Sequence, residues 1–234
     1  MALSRRNFLE VATGFPAVVL GARRVGVQLL SGPGQEGTGF LLLDLGKDCA
    51  LPESLAGFEA VLRSTSISYQ RAPAGTSNVA RTLIAPAATL SDHLFAHWLR
   101  TCLENGASVL FETGAAYLSP GEFMSQQHWV QDYLGVTIHS PLRIWEEPHA
   151  WSRVPYLDYT WPLRTKVRDF SVVVPVSSPD GEAVGWFGET PIAVRKHIGR
   201  GMLFFLGSPM GPHLLTGDPQ ASCWLRELCA QAYC

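Results

Sequence analysis

Between Gly39 and Glu112 the apolar residues switch repeatedly between two spacings, and this switching constrains the fold more than any other feature of the chain. Gly39 to Leu45 (GFLLLDL) is a continuous apolar run behind a glycine, as expected of a strand buried on both faces. Leu51, Leu55, Phe58, Val61 and Leu62 then recur at helical spacing, and Pro52 suits the first turn of a helix reaching Ser64. Ser66 to Arg71 alternates around Ile67 and Tyr69 and predicts a second strand. Thr82 to Ala85 is a third apolar run, ending at Pro86. Ser91 or Asp92 can cap the next helix, which carries Leu94, Phe95, Trp98, Leu99 and Cys102 on one face and stops at Asn105-Gly106. Ser108 to Phe111 closes the series as a strand. Strands alternating with helices in this way predict a parallel sheet covered on both faces.

The pattern loosens after Glu112. A helix is predicted from Pro120 to Leu134, and residues 137–162 read as irregular, rich in Trp, Pro and His. Later strands fall at Phe170 to Val176, Ala183 to Phe187, Ile192 to His197 and Met202 to Gly207. Gly199-Arg200-Gly201 predicts a hairpin between the last two, and a closing helix runs from Pro219 to about Tyr233. The expected class is therefore α/β, with a mostly parallel central sheet flanked by helices and a late β-hairpin. With 47% apolar and only 16% charged residues the chain is globular. Its net charge of −2, without a basic run beyond the N-terminus, argues against nucleic acid as partner.

The first residues, Ser4-Arg5-Arg6-Asn7-Phe8-Leu9-Glu10, resemble the twin-arginine export signal, with Glu10 where that signal most often has Lys. An apolar stretch follows from Val11 to Ala22, broken by Gly14 and Pro16, and is shorter than the ~20 residues of a membrane span. The resemblance, carried by Arg5, Arg6, Phe8 and Leu9, implies export in the folded state and a periplasmic or exported destination. Leu20-Gly21-Ala22 puts Leu at the outer small position of a cleavage site, so an uncut segment would remain as a membrane tether. The expected organisation is a signal or tether over 1–24, a Gly- and Ser-rich linker over 25–38, and one domain over 39–234.

The order of elements, with Leu83-Ile84-Ala85-Pro86-Ala87 leading into a helix and Asn105 to Ala116 forming strand and elbow, resembles the class I glutamine amidotransferase-like family. Glu189 to Gly211 is similar to the late hairpin of that family. Active members attack an amide with a Cys thiolate on a strained turn, helped by a His and a carboxylate. Here the elbow reads Glu112-Thr113-Gly114-Ala115-Ala116, without Cys, and Ser208-Pro209-Met210 stands where a His-Pro-Glu would be. The resemblance then implies a scaffold without its Cys-His chemistry. On it, the expected function is an exported, non-catalytic binding or accessory protein without cofactor or metal, whose partner is a small ligand or a protein.

Two other classes stay open. A hydrolase of an amide, ester or glycan would use Thr113 or Ser208 with His213 as base. An accessory subunit of a membrane-bound redox or energy-converting complex would use the N-terminal tether. Glu112 and Gly114 are expected to line a ligand pocket at the carboxyl ends of the strands. Trp145 and Trp151, within Trp145-Glu146-Glu147-Pro148-His149-Ala150-Trp151, offer aromatic faces beside acids for a ligand, or pack on the sheet edge. The five cysteines form no CxxC pair and read as buried free thiols rather than a zinc site.

Overall fold

The computed structural model describes residues 39–76, 80–90, 93–145, 155–169 and 171–231. The expected export signal, the linker and Trp151 lie outside these residues. The strands in chain order are β1 (Phe40–Asp44), β2 (Tyr69–Pro73), β3 (Thr82–Ala88), β4 (Ser108–Thr113), β5 (Thr137–Ile138), β6 (Leu142–Arg143), β7 (Tyr156–Tyr159), β8 (Thr165–Arg168), β9 (Val172–Val173), β10 (Val176–Ser177), β11 (Glu182–Phe187), β12 (Thr190–Ile198) and β13 (Gly201–Leu206). The helices are α1 (Pro52–Ser64), α2 (His93–Glu104), α3 (Pro120–Trp129), α4 (Gly211–Leu215) and α5 (Pro219–Gln231).

Nine strands make the main sheet, in the order β2-β1-β3-β4-β13-β12-β11-β7-β8. The first four pairings in that order are parallel and the last four antiparallel. The sheet is therefore mixed, not mostly parallel as the sequence predicts. The reason lies in the segment read as irregular and the residues just after it. Leu157, Tyr159, Thr165 and Val167 are buried and alternate with more exposed neighbours, so β7 and β8 are half-buried strands too short to show a clear period. They extend the sheet beyond the β11–β12–β13 meander and double its antiparallel part.

Two hydrophobic cores form, one on each face. Leu41, Leu43, Leu83, Val109, Phe111 and Phe205 face α2, while Phe40, Leu42, Ile84, Leu110, Phe204 and Leu206 face α1, α4 and α5. Among the parallel strands β1 and β3 are buried on both faces, which is why GFLLLDL lacks alternation. β3 runs past Pro86, where the sequence predicts its end, because Pro86 and Ala87 sit in a register shift between Ala85 and Ala88, where the ladder needs no N–H from proline. The predicted hairpin is present at Gly199, whose φ is +58°; a Cβ there would lie 2.7 Å from the Glu104 Cα, so only glycine fits. On the other face α1 and α4 touch backbone to backbone: a Cβ on Gly57 would lie 1.8 Å from the Gly211 carbonyl oxygen. This contact fixes the loop after β13 against α1.

Candidate functional site

The parallel strands end together at one edge of the sheet, and two buried carboxylates stand there. Glu112, the penultimate residue of β4, is fully buried. One carboxylate oxygen accepts from the Ser54 hydroxyl on α1 and from the Ala87 N–H at 2.7 Å. The other accepts from the N–H groups of Met210 and Gly211, the latter at 2.8 Å. Four donors thus occupy both oxygens, a set that fits an ionised carboxylate. Burial pushes the carboxyl up, and the hydrogen bonds from Ser54, Gly211, Ala87 and Met210 pull it back, leaving it above the usual carboxylate range. No face of this group is open to a ligand. Glu112 ties α1, the end of β3 and the loop after β13 into one unit.

Asp169, just after β8, is buried at 1% exposure but has different company. Its Oδ1 accepts from the Ser171 N–H at 2.8 Å and the Ser171 hydroxyl at 2.6 Å. Its Oδ2 accepts from the Ser208 hydroxyl at 2.6 Å and stands 3.6 Å from His213 Nε2. Burial raises this carboxyl, but the nearby His213 imidazole, with the hydroxyls of Ser171 and Ser208, outweighs it and holds the group below the usual range. The His213 side chain is 12% exposed, so the imidazole connects the buried carboxylate to the surface. Burial pushes the Tyr117 phenol up, with the Ser171 hydroxyl acting against it.

Tyr117 also lines a cavity of about 540 Å³ along the same edge, with Lys47, Asp48, Thr89, Glu122 and Gln126. The loops after β1, β3 and β4 form its walls, where open α/β sheets hold ligands. Glu122 is committed to the cap of α3, accepting from the Ser119 N–H at 3.0 Å and the Ser119 hydroxyl at 2.6 Å. Those two bonds hold its carboxyl below the usual range.

Of the residues singled out in the sequence, Ser208 and His213 meet at Asp169, and Glu112 lies buried nearby in the chain's own contacts. Thr113 is buried, and its hydroxyl accepts the Ala115 N–H at 3.2 Å. Gly114 packs against Ala50 and Ala87: a Cβ there would be 2.5 Å from the Ala50 Cβ and from the Ala87 carbonyl oxygen. Trp145 is half-buried beyond β6. Among the remaining aromatics of that segment, Trp161 packs on Phe204 at 4.9 Å between ring centres and Tyr159 is buried, so these two serve the core. The thiols are not uniformly buried: Cys102 and Cys229 are, Cys49 is half-buried and Cys223 is exposed. Burial pushes the Cys229 thiol up to about 12. Among the described residues no three His, Cys, Asp or Glu side chains gather as a metal site. Sequence reasoning missed Asp169, Ser171, Tyr117 and Asp48. A lone aspartate at a strand end has no spacing signature, and the only signal available was its place just after a short alternating run.

No protein-family model and no curated protein matches the sequence. Solved structures do match by fold. A β-galactosidase from Rahnella sp. R3 is 10% identical with a TM-score of 0.63, over 83% of this chain and 31% of that one. An exo-β-1,4-mannosidase from Opitutaceae bacterium strain TAV5 is 12% identical with a TM-score of 0.59, over 82% and 36%. An α-L-fucosidase from Paenibacillus thiaminolyticus is 11% identical with a TM-score of 0.55, over 82% and 33%. The chain spans about a third of the length of these structures. At such identities the likeness is one of fold. It nevertheless overturns two expectations. The neighbours are glycoside hydrolases, among them several β-galactosidases, and not the glutamine amidotransferase-like proteins the sequence resembles. The reading as a non-catalytic binding or accessory protein on an amidotransferase-like scaffold falls with that resemblance.

Proposed function

We propose that the chain is a glycosidase-related hydrolase domain that acts on a glycan, with His213 as its base. The observation that carries this reading is the meeting of Ser208 and His213 at one buried carboxylate oxygen of Asp169. A carboxylate beside an imidazole fixes its orientation and stabilises the imidazolium formed when it takes a proton. His213, partly exposed, takes that proton from a water or a substrate hydroxyl, while the Ser208 hydroxyl donates to the same Asp169 oxygen. The glycan as substrate class is supported by the glycoside hydrolase neighbours and by the polar cavity beside Tyr117.

The test is release of product from a panel of nitrophenyl glycosides and short oligosaccharides. His213→Ala is expected to lower the rate about 10²–10⁴-fold, the usual worth of a general base. Turnover of nothing by the wild type, or His213→Ala at the wild-type rate, refutes the reading. The destination outside the cytoplasm rests on the N-terminal heptad alone. Replacing Arg5 and Arg6 together by Lys is expected to leave the protein in the cytoplasm on cell fractionation, and unchanged export would remove that part of the proposal.

A further inference from the structure

A second cavity, of about 330 Å³, lies on the same edge between the loops after β1 and β2 and the first turns of α2. Phe95 and Trp98 line it as a stacked pair, their ring centres 6.1 Å apart and planes 26° off parallel. Asp44 and Asp48 line it from the β1 side. Asp44 is engaged by Arg71, whose Nη2 stands 2.8 Å from its Oδ2. Asp48 belongs to both cavities, since it also lines the larger one beside Tyr117. Its backbone carbonyl accepts from the N–H and hydroxyl of Thr89, which fixes the loop. Its carboxylate has no hydrogen bond or ion pair among the described residues, and the residue is only part-exposed.

The geometry points to a two-subsite groove for an oligosaccharide, with the Asp48 carboxylate at the junction of an aromatic subsite on Trp98 and Phe95 and a polar subsite on Tyr117. This rests on the glycan reading above and adds the length of the ligand and the residues that hold it. The chemistry is complementary at each point. A pyranose has an apolar C–H face that covers an aromatic ring, and a rim of hydroxyls that donate to a carboxylate. A carboxylate between two sugar units accepts from both. Each cavity alone falls within the ~300–1,000 Å³ of ordinary ligand sites, so two units sit side by side rather than compete for one pocket. Lys47, exposed on the same loop, supplies a donor at the polar end.

Isothermal titration of the full chain carrying His213→Ala, which slows turnover, tests this with two series: mannose to β-1,4-mannotetraose, and galactose to β-1,4-galactotetraose. In at least one series affinity is expected to rise tenfold or more from monosaccharide to trisaccharide. Asp48→Asn is expected to remove most of that rise, and Trp98→Ala, which takes away one of the two subsites, to flatten it beyond the monosaccharide. Trp98 also packs on the core, so Asp48→Asn, a change at an unpaired loop carboxylate, decides the matter if Trp98→Ala does not fold. Equal affinity for one unit and three, no binding in either series, or an Asp48→Asn protein that binds both series as its parent does would overturn the groove. Length-dependent binding by a wild type that cleaves nothing sinks only the hydrolase reading. Turnover without length dependence sinks only the groove.

Discussion

Glu112 and Asp169 are both carboxylates buried at the carboxyl ends of their strands, yet they do opposite things. Every partner of Glu112 is a hydroxyl or a backbone N–H, drawn from three elements, and none carries a charge or reaches solvent. Asp169 shares one oxygen with an imidazole that is 12% exposed. The first arrangement consumes the carboxylate in holding loops together. The second leaves a proton-accepting group in contact with the outside. Burial of an acid at a strand end therefore does not mark a site; what matters is whether a titratable partner links it to solvent.

The sharpest way to break this contrast is Glu112→Gln. The amide would turn a donor toward N–H groups or the Ser54 hydroxyl, and the cost is expected to be ~3–5 kcal/mol by urea unfolding, as for a broken buried network. Asp169→Asn should instead cost activity, on the order of 10²-fold or more in kcat, because the imidazole loses the group that orients it. If Glu112→Gln proves the more damaging to kcat in folded protein, the two roles are exchanged. Ser54→Ala removes one of four donors to Glu112, and a loss of about 1–3 kcal/mol is expected in the same unfolding assay. The smallest effect is on pH. The Asp169 carboxyl lies below its ordinary value, so its stabilisation is present above the unfolded value of about 3.9 and is lost as pH falls through the folded one. Glu112 lies above its ordinary value, so its contribution is present below about 4.3 and lost as pH rises through its folded value. Thermal melts between pH 3 and 7 should show the acid-side fall flattened in Asp169→Asn and not in Glu112→Gln; identical profiles for the two variants would contradict the assignment.

The parallel half of the fold was legible in the sequence because its residues obey one rule at a time. α1 spans Pro52–Ser64 as its spacing predicts, and β1 and β4 fall on their apolar runs. The antiparallel half was half legible. The β12–β13 hairpin shows through Gly199, but β7 and β8 are four residues each and alternate Tyr, Asp, Lys and Arg with their buried side chains, so composition hides the period. The site was less legible still. Ser208 and His213 could be picked out by residue type, whereas Asp169 joins them only through pairing of β8 at the far edge of the sheet and the path of the chain after it. No local pattern encodes a contact between positions 169 and 208. The expected amidotransferase-like elbow misled for a related reason: loop composition after β4 constrains the turn, not the chemistry, and Ala115 there donates its N–H to Thr113.

The position of β13 has a consequence for how the chain reaches this state. On one side it pairs with β12 across the two-residue turn Gly199-Arg200; on the other it pairs with β4, which lies some ninety positions earlier. Strand pairs β7–β8, β11–β12 and β12–β13 are all chain neighbours, so closing them costs little loop entropy, while each parallel pairing must wait for a helix or a long excursion. The antiparallel half is expected to form early and present the free edge of β13 as a template. Amides of Leu203 and Phe205 would then gain protection from exchange before those of Leu41 and Ile84 in a pulsed refolding experiment, and the reverse order would show that the parallel strands assemble on their own. Seen this way β13 is a seam in time as well as in space, the strand at which a locally encoded structure hands over to one that only the whole chain can specify.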